Sequence, residues 1–304
     1  MASKSKSIQV LIPCYNEQLT IAQVISDFRE KIPGCEIIVG DNCSEDETAQ
    51  IAAKHADKVV TVFRRGKGEV MKQLFHMSSA DIVIMCDGDN TYDLENLHQM
   101  ITRLEITDIC IGKRVASSKT SYPKLHIFGN SVFSFLSSNI LKIGKIDVFS
   151  GLRVMKKEFI KSMPLTRRDF AIETEINLHA AILGSDVVQI DVLYKPRIDG
   201  SDSKLHSSKD GLAIVKYLLS LAIEFRPLVF ILVPGMTSIL VGLLLLIRPF
   251  DEFLFSGVIL KTPSLISGMS LLVLGQLLCG MSIVLNLIRK IRIENRKIAY
   301  LQSK

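Results

Sequence analysis

Two stretches of the chain carry no charged residue: Leu228–Ile247, 20 residues, and Ser264–Ile288, 25 residues. At about 1.5 Å of rise per residue a 20-residue helix reaches about 30 Å, the thickness of a bilayer's hydrocarbon core. In that solvent every backbone donor and acceptor must be satisfied internally, so both stretches are predicted as membrane-crossing helices. The alternative for each is a core helix buried by its own protein. Pro234-Gly235 falls inside the first stretch, where neighbouring helices and local adjustments can satisfy the freed backbone groups. The hydrophobic content of 48% and mean hydropathy of +0.30 exceed what a soluble domain of this size needs, and the excess lies in these two runs. Arg289, Lys290, Arg292, Arg296, Lys297 and Lys304 follow the second run against Glu294 alone, whereas Arg248 and Lys261 stand with Asp251 and Glu252 between the runs. Basic flanks favour the cytoplasmic side, so a hairpin with both chain ends inside is expected. Met1–Ser7 has lysines but no apolar stretch, so no signal peptide is expected there.

Upstream the pattern changes. Ile8–Ile12, Glu36–Val39, Asp57–Val62 and Ile82–Met85 are short apolar runs, each ending in a polar loop before a helical segment. The repetition predicts an α/β fold with a parallel sheet whose strand ends share one edge, where open sheets bind ligands. The fourth run opens into Asp87-Gly88-Asp89-Asn90-Thr91-Tyr92-Asp93. An Asp-x-Asp pair at a strand end suits a hard cation such as Mg²⁺, which takes oxygen ligands and keeps positions for substrate phosphates. A solvated turn is the alternative. Cys14, Cys35, Cys43, Cys86, Cys110 and Cys279 show no paired spacing and the six histidines no ligand pair, which excludes a zinc or redox motif. The net charge of +6 comes largely from the C-terminal end, and no basic stripe interleaved with aromatics points to nucleic acid.

As an ordered set the motifs resemble family 2 glycosyltransferases of the GT-A fold. Ile12-Pro13-Cys14-Tyr15-Asn16-Glu17 is similar to that family's opening P-x-Y-N-E, Asp41-Asn42-Cys43-Ser44 with Asp46 and Thr48 to its D-[DN]-x-S-x-D-x-T, and Asp87-Gly88-Asp89 to its metal motif. Ser150-Gly151-Leu152-Arg153 after Asp147, Glu173-Thr174-Glu175, and Arg197 with Gly200, Ser203, Lys204 and Leu205 resemble dolichyl-phosphate mannose synthases and bacterial polyprenyl-phosphate glycosyltransferases. The last motif has one residue more between Gly and Ser than the family pattern. The resemblance covers about residues 8–290.

What the resemblance implies is a GT-A-like, Rossmann-type mixed sheet with flanking helices, then an interfacial helix and two transmembrane helices. Asp89 is the expected direct ligand of Mg²⁺ or Mn²⁺, with Asp87 near the ribose or the metal's outer shell. Pro13, Tyr15, Glu17 and Asp41 are expected at the base and ribose, Lys67 or Arg197 at the diphosphate, and Ser203 and Lys204 among the nucleotide-sugar contacts. The acceptor phosphate is assigned to Arg114 and to the segment Lys124–Ser131, where the second arginine of some mannose synthases is replaced by His126 or Lys124. Asn16, Ser44 and Asp46 read as capping and loop-fixing residues, Ser44 with Glu47 as a capping box. Glu173 and Glu175 are structural or orienting, and at most one faces the site, because helix residues two apart point different ways.

The domain reading is a cytoplasmic catalytic domain over 1–205, an interfacial amphipathic helix over 206–227, a transmembrane hairpin over 228–288 and a basic tail over 289–304. Lys209–Arg226 bears one narrow polar stripe, Lys216, Ser220 and Glu224, suited to the membrane surface. Lys124–Leu141 is similar and either lies at the interface or packs on the sheet. Ser238 and Gly242 have a small-xxx-small spacing that would permit close helix contact and a homo-oligomer. The expected activity is metal-dependent, inverting transfer of one sugar from a nucleotide sugar, UDP-glucose or UDP-N-acetylglucosamine, to undecaprenyl or dolichyl phosphate at the cytoplasmic face of the cell membrane. A GDP-mannose-using synthase and a non-catalytic membrane adaptor are the alternatives. A processive polysaccharide synthase is excluded, because its Gln-x-x-Arg-Trp motif needs a tryptophan and the chain has none.

Overall fold

The computed structural model describes residues 6–116, 146–164, 172–198, 223 and 226–303. The amphipathic stretch assigned to 206–227 lies almost wholly outside them, as do Lys124, His126, Ser203 and Lys204. The chain forms two compact units, Met1–Ser207 with Asn295–Lys304, and Ser208–Glu294.

The first unit alternates β1 (Ile8–Cys14), α1 (Ile21–Lys31), β2 (Glu36–Asp41), α2 (Thr48–His55), β3 (Lys58–Thr61), α3 (Lys67–Met77), β4 (Ile82–Met85) and α4 (Leu97–Arg103). It continues with β5 (Ile109–Ala116), β6 (Arg153–Lys156), α5 (Lys157–Lys161), α6 (Ile172–Leu183) and β7 (Val187–Tyr194). The seven strands form one sheet in the order β3-β2-β1-β4-β6-β5-β7. β3, β2, β1 and β4 are parallel, β6 runs antiparallel to both its neighbours, and β5 is parallel to β7. The sheet is therefore mixed, with its four predicted strands in place.

β1 is an interior strand between β2 and β4, and Val10, Leu11 and Ile12 are wholly buried. A strand buried on both faces reads as a continuous apolar run, which is why it is visible in the sequence. α1 buries Ile21, Val24, Ile25 and Phe28, an i, i+3, i+4, i+7 stripe, in one core with Val10, Ile12, Ile37, Val39, Ile82 and Ile84. α3 packs on the opposite face, where a Cβ on Gly40 of β2 would stand 2.4 Å from Val70 Cγ1. With helices on both faces, the carboxyl ends of the parallel strands are where a sheet of this kind binds a ligand.

In the second unit a π-helical turn, Leu228–Leu232, leads into α7 (Val233–Ser256), and α8 spans Thr262–Ser303. The π turn sits just before Pro234 and is the local adjustment that a missing amide calls for. Both helices are long and apolar enough to cross a membrane. Leu240, Leu244 and Leu277 are each more than half exposed, so neither is a core helix buried by its own protein. Both run past the charge-free stretches. α7 continues through Pro249 to Ser256, and the basic tail expected at 289–304 is the last part of α8. The end of α8 belongs to the first unit, where Tyr300 Oη donates to Asp108 Oδ2 at 2.9 Å and Ser303 Oγ to the Glu158 carbonyl at 3.1 Å. The small residues are used within the chain. A Cβ on Gly242 would stand 2.8 Å from the Gly268 carbonyl oxygen, and one on Gly275 2.7 Å from that of Gly235. Ser238 Oγ donates to the Leu271 carbonyl at 2.9 Å across the same contact.

Candidate active site

The carboxyl ends of β1, β2 and β4 each pass through a residue in the left-handed region: Asn16 (φ 53°), Cys43 (φ 55°) and Asn90 (φ 55°). Such conformations cost L residues about 1–2 kcal/mol, and the loops hold them by hydrogen bonding. Asn16 N donates to Ser44 Oγ at 3.0 Å and Glu45 N to Asn16 Oδ1 at 2.8 Å. Asp46 receives Gln18 N at 3.2 Å and Thr48 N at 2.9 Å. Asn16, Ser44 and Asp46 are thus loop-fixing residues. The capping box is not formed: α2 begins at Thr48, too late for Ser44, and Asp46 takes up the first helical amide. Thr20 Oγ1 donates to the Gly88 carbonyl at 2.6 Å, tying the β1 loop to the Asp-x-Asp loop.

Pro13 lies within β1 opposite Gly40, beyond the last β1–β4 pair, and Glu17 and Asp41 are buried beside it at the strand ends. Asp41 accepts Ser44 N at 3.2 Å. Tyr15 carries the Arg65 guanidinium 4.4 Å from its ring centroid. Asn42 Nδ2 donates to the Val62 and Arg64 carbonyls, both at 2.8 Å, and its Oδ1 accepts Gly66 N at 2.8 Å. That side chain shapes the turn that delivers Lys67.

Lys67 Nζ lies 2.5 Å from Asp87 Oδ1 and 2.5 Å from Glu173 Oε1. Burial would lower its pKa, but the two carboxylates outweigh burial and hold the ammonium above its ordinary value. Glu173 therefore meets the site, as expected for one of the two glutamates; Glu175 is buried as well. Asp89 is 4% exposed. Its Oδ1 accepts Thr91 Oγ1 at 2.6 Å and its Oδ2 accepts Arg197 Nη2 at 2.8 Å. Burial, and then the negative charge of Asp87, push its carboxyl up.

Arg197 reaches Asp89 because the chain beyond β7 is zipped to the Asp-x-Asp loop: Asp93 N donates to the Leu193 carbonyl at 3.0 Å and Lys195 N to that of Thr91 at 2.7 Å. On the other side Gly151 lies so close that a Cβ would stand 2.1 Å from Asp87 Oδ2, and its N–H donates to Tyr92 Oη at 2.6 Å. Arg153, wholly buried, fixes that loop. Its Nε and Nη2 donate to the Ser150 and Val148 carbonyls, both at 2.9 Å, and its Nη1 to Asn177 Oδ1 at 2.6 Å. Burial pulls its pKa down to about 10.

Arg114 does not present a free cation. Its Nε and Nη2 meet both oxygens of Asp147 at 2.8 and 2.7 Å, and a phosphate would have to share the guanidinium or displace the carboxylate. The partnerships of Asn42, Thr20, Tyr92 and Arg153 carry no signal in the sequence, because each depends on which loops the sheet brings together.

Among the described residues no cluster of three or more Asp, Glu, His or Cys could enclose a metal. Two carboxylates suit a divalent cation of the Mg²⁺ class, which binds through one or two of them and fills its shell with water and phosphate oxygens. Burial raises the pKa of Asp89 most, and the neighbouring charge of Asp87 raises it further, so a cation beside the pair would favour its charged form.

A mixed sheet with carboxylates and cations gathered beyond the carboxyl ends of its parallel strands has the architecture of a GT-A-like scaffold. Residues 9–163 match the family described as "Glycosyl transferase family 2", and the chain belongs to that family. It is 33% identical over 245 residues to Glycosyltransferase AglJ of Haloferax volcanii, covering 78% of this chain and 79% of that one. It is 24% identical over 220 residues to a dolichyl-phosphate hexose transferase of the same organism, covering 72% and 95%. A glucosyl-3-phosphoglycerate synthase from Mycobacterium tuberculosis, crystallised with Mn²⁺, UDP and phosphoglyceric acid, shares the fold with a TM-score of 0.54 and 21% identity, covering 72% and 78%. The protein is a glycosyltransferase.

Proposed function

We propose that the enzyme moves one sugar from a nucleotide sugar to a polyprenyl phosphate, with inversion at the anomeric carbon and with a divalent metal, at the cytoplasmic face of the membrane. The observation that carries this reading is the pairing of Asp87 with Lys67 and of Asp89 with Arg197 at one sheet edge. Two carboxylates and two cations complement a metal-bound diphosphate. Asp89 and Asp87 would hold Mg²⁺ or Mn²⁺, which would neutralise charge developing on the diphosphate leaving group. In this reading Lys67 and Arg197 would take phosphate oxygens, and Tyr15, Pro13, Glu17 and Asp41 would meet the base and ribose. A phosphate acceptor is already a competent nucleophile, so this site needs no strong general base.

The lipid acceptor draws support from the two apolar helices, which keep the enzyme where a polyprenyl tail resides, and from the 24% identity to a dolichyl-phosphate hexose transferase. UDP-glucose or UDP-N-acetylglucosamine is the favoured donor; the Mycobacterium structure holds UDP and Mn²⁺ on the same fold. The test is incubation of membranes carrying the full-length protein with labelled UDP-glucose, UDP-N-acetylglucosamine and GDP-mannose, each with undecaprenyl or dolichyl phosphate, with and without Mn²⁺. The expected product carries one phosphate and is labile to mild acid. A lipid with two phosphates, or label on a glycan hydroxyl, would overturn the reading.

A further inference from the structure

Lys67 is held by two carboxylates of different character. Asp87 stands in the crevice with 27% of its side chain exposed, whereas Glu173, in the first turn of α6, is 5% exposed. A buried carboxylate stripped of its partner is strongly destabilising, so Glu173 needs a cation at all times. Asp87 can exchange one cation for another. It has little room to swing, because Gly151 closes against its Oδ2. A metal ion that approaches Asp87 therefore has to displace the ammonium, and Lys67, a compact charge on a flexible stem, is the group able to shift.

We propose that Glu173 is a positioning residue that holds Lys67 when a divalent cation replaces it on Asp87. Lys67 and the metal compete for one carboxylate, and Glu173 sets how strongly Lys67 competes. The inference rests on the reading of Asp87 and Asp89 as the metal's ligands. An ammonium has three donors, so the shift leaves Lys67 bonded to Glu173 with donors free for a phosphate oxygen. Metal entry thus prepares the diphosphate site, and the two ligands bind with positive linkage.

The experiment measures Mn²⁺ binding to the full-length protein in detergent, from the paramagnetic resonance signal of free Mn²⁺, first without nucleotide and then with UDP. Glu173→Gln leaves Lys67 undivided on Asp87 and is expected to weaken Mn²⁺ binding about five-fold, whereas Lys67→Met removes the competitor and strengthens it while weakening UDP. In the Lys67→Met background the effect of Glu173→Gln should shrink. An equal effect in both backgrounds would mean that Glu173 acts through bulk charge, and would overturn the proposal. Should Lys67→Met not fold, Glu175→Gln makes the same charge change two residues along α6. A similar loss in Glu175→Gln and Glu173→Gln, or none in Glu173→Gln, also overturns it. Wild-type protein that binds no Mn²⁺ with or without UDP would instead remove the metal reading itself.

Discussion

Asp89 is a buried carboxylate whose charge is offset on one oxygen by a hydroxyl and on the other by a guanidinium. Asp89→Asn keeps the shape and most of that bonding but removes the charge a metal would bind. It is expected to lower kcat by about 100-fold or more, with the circular dichroism of the fold unchanged; near-normal turnover in Mn²⁺ would remove Asp89 from the metal assignment. Arg114 needs two variants, because Asp147 already occupies its guanidinium. If Arg114 takes the acceptor phosphate, Arg114→Ala should raise KM for polyprenyl phosphate far more than KM for the donor, and Asp147→Asn should lower or preserve it. A common loss of melting temperature in both variants, with KM spared, would make the pair purely structural. The convergence of Asp87, Asp89, Lys67 and Arg197 was legible because each stands at a strand end or in a polar loop beyond one. Their pairing was not, because Lys67 meets Glu173 across 106 positions and Arg197 meets Asp89 across 108.

Elements differ in how openly the sequence announces them. β1, β2 and β4 are apolar runs because both their faces are covered. β6 is Arg-Val-Met-Lys, and its leading arginine is buried only because Asn177 and two carbonyls accept from it. β7 lies at the sheet edge with several half-exposed residues and shows no continuous run. α6 carries a further consequence of burial. His179 is wholly buried, its Nε2 2.9 Å from Ser162 Oγ and its ring edge-on to Phe159 at 5.0 Å. Burial first, then the charge of Arg296, pull its pKa from 6.5 down to about 4. The unfolded chain binds a proton between those values and the native one does not, so the stabilisation is present above pH 6.5 and is lost as pH falls towards 4. At about 1.36 kcal/mol per unit the loss is about 2 kcal/mol by pH 5. Melting curves from pH 7 to 5 should show the decline, and His179→Asn should flatten it; an unchanged slope would mean that other groups cause it.

At the scale of the whole molecule, charge decides orientation. If both apolar helices cross, the basic residues that flank them favour both chain ends on one side, so reporters before Ile8 and after Lys304 should both read as cytoplasmic. An external C-terminal reporter would mean that one of the two helices does not cross. The two apolar helices were legible from hydropathy alone, but their reach was not. α8 continues through Arg289, Lys290 and Arg292 because charged residues end a hydrophobic run without ending a helix. The small-residue spacing at Ser238 and Gly242 was legible as a contact surface, and within the chain that surface is already taken by Leu271 and Gly268.

The three left-handed residues at the strand ends bear on how substitutions at this site will be interpreted. A library that varies Cys43 should accept glycine and asparagine and reject valine and isoleucine, because a positive φ excludes β-branched side chains whatever the substrate. Asn16 and Asn90 should show the same intolerance of branching. A tolerance map of the crevice would thus mark three positions as strictly as any ligand contact, and at Cys43 above all it would be recording the shape of the main chain.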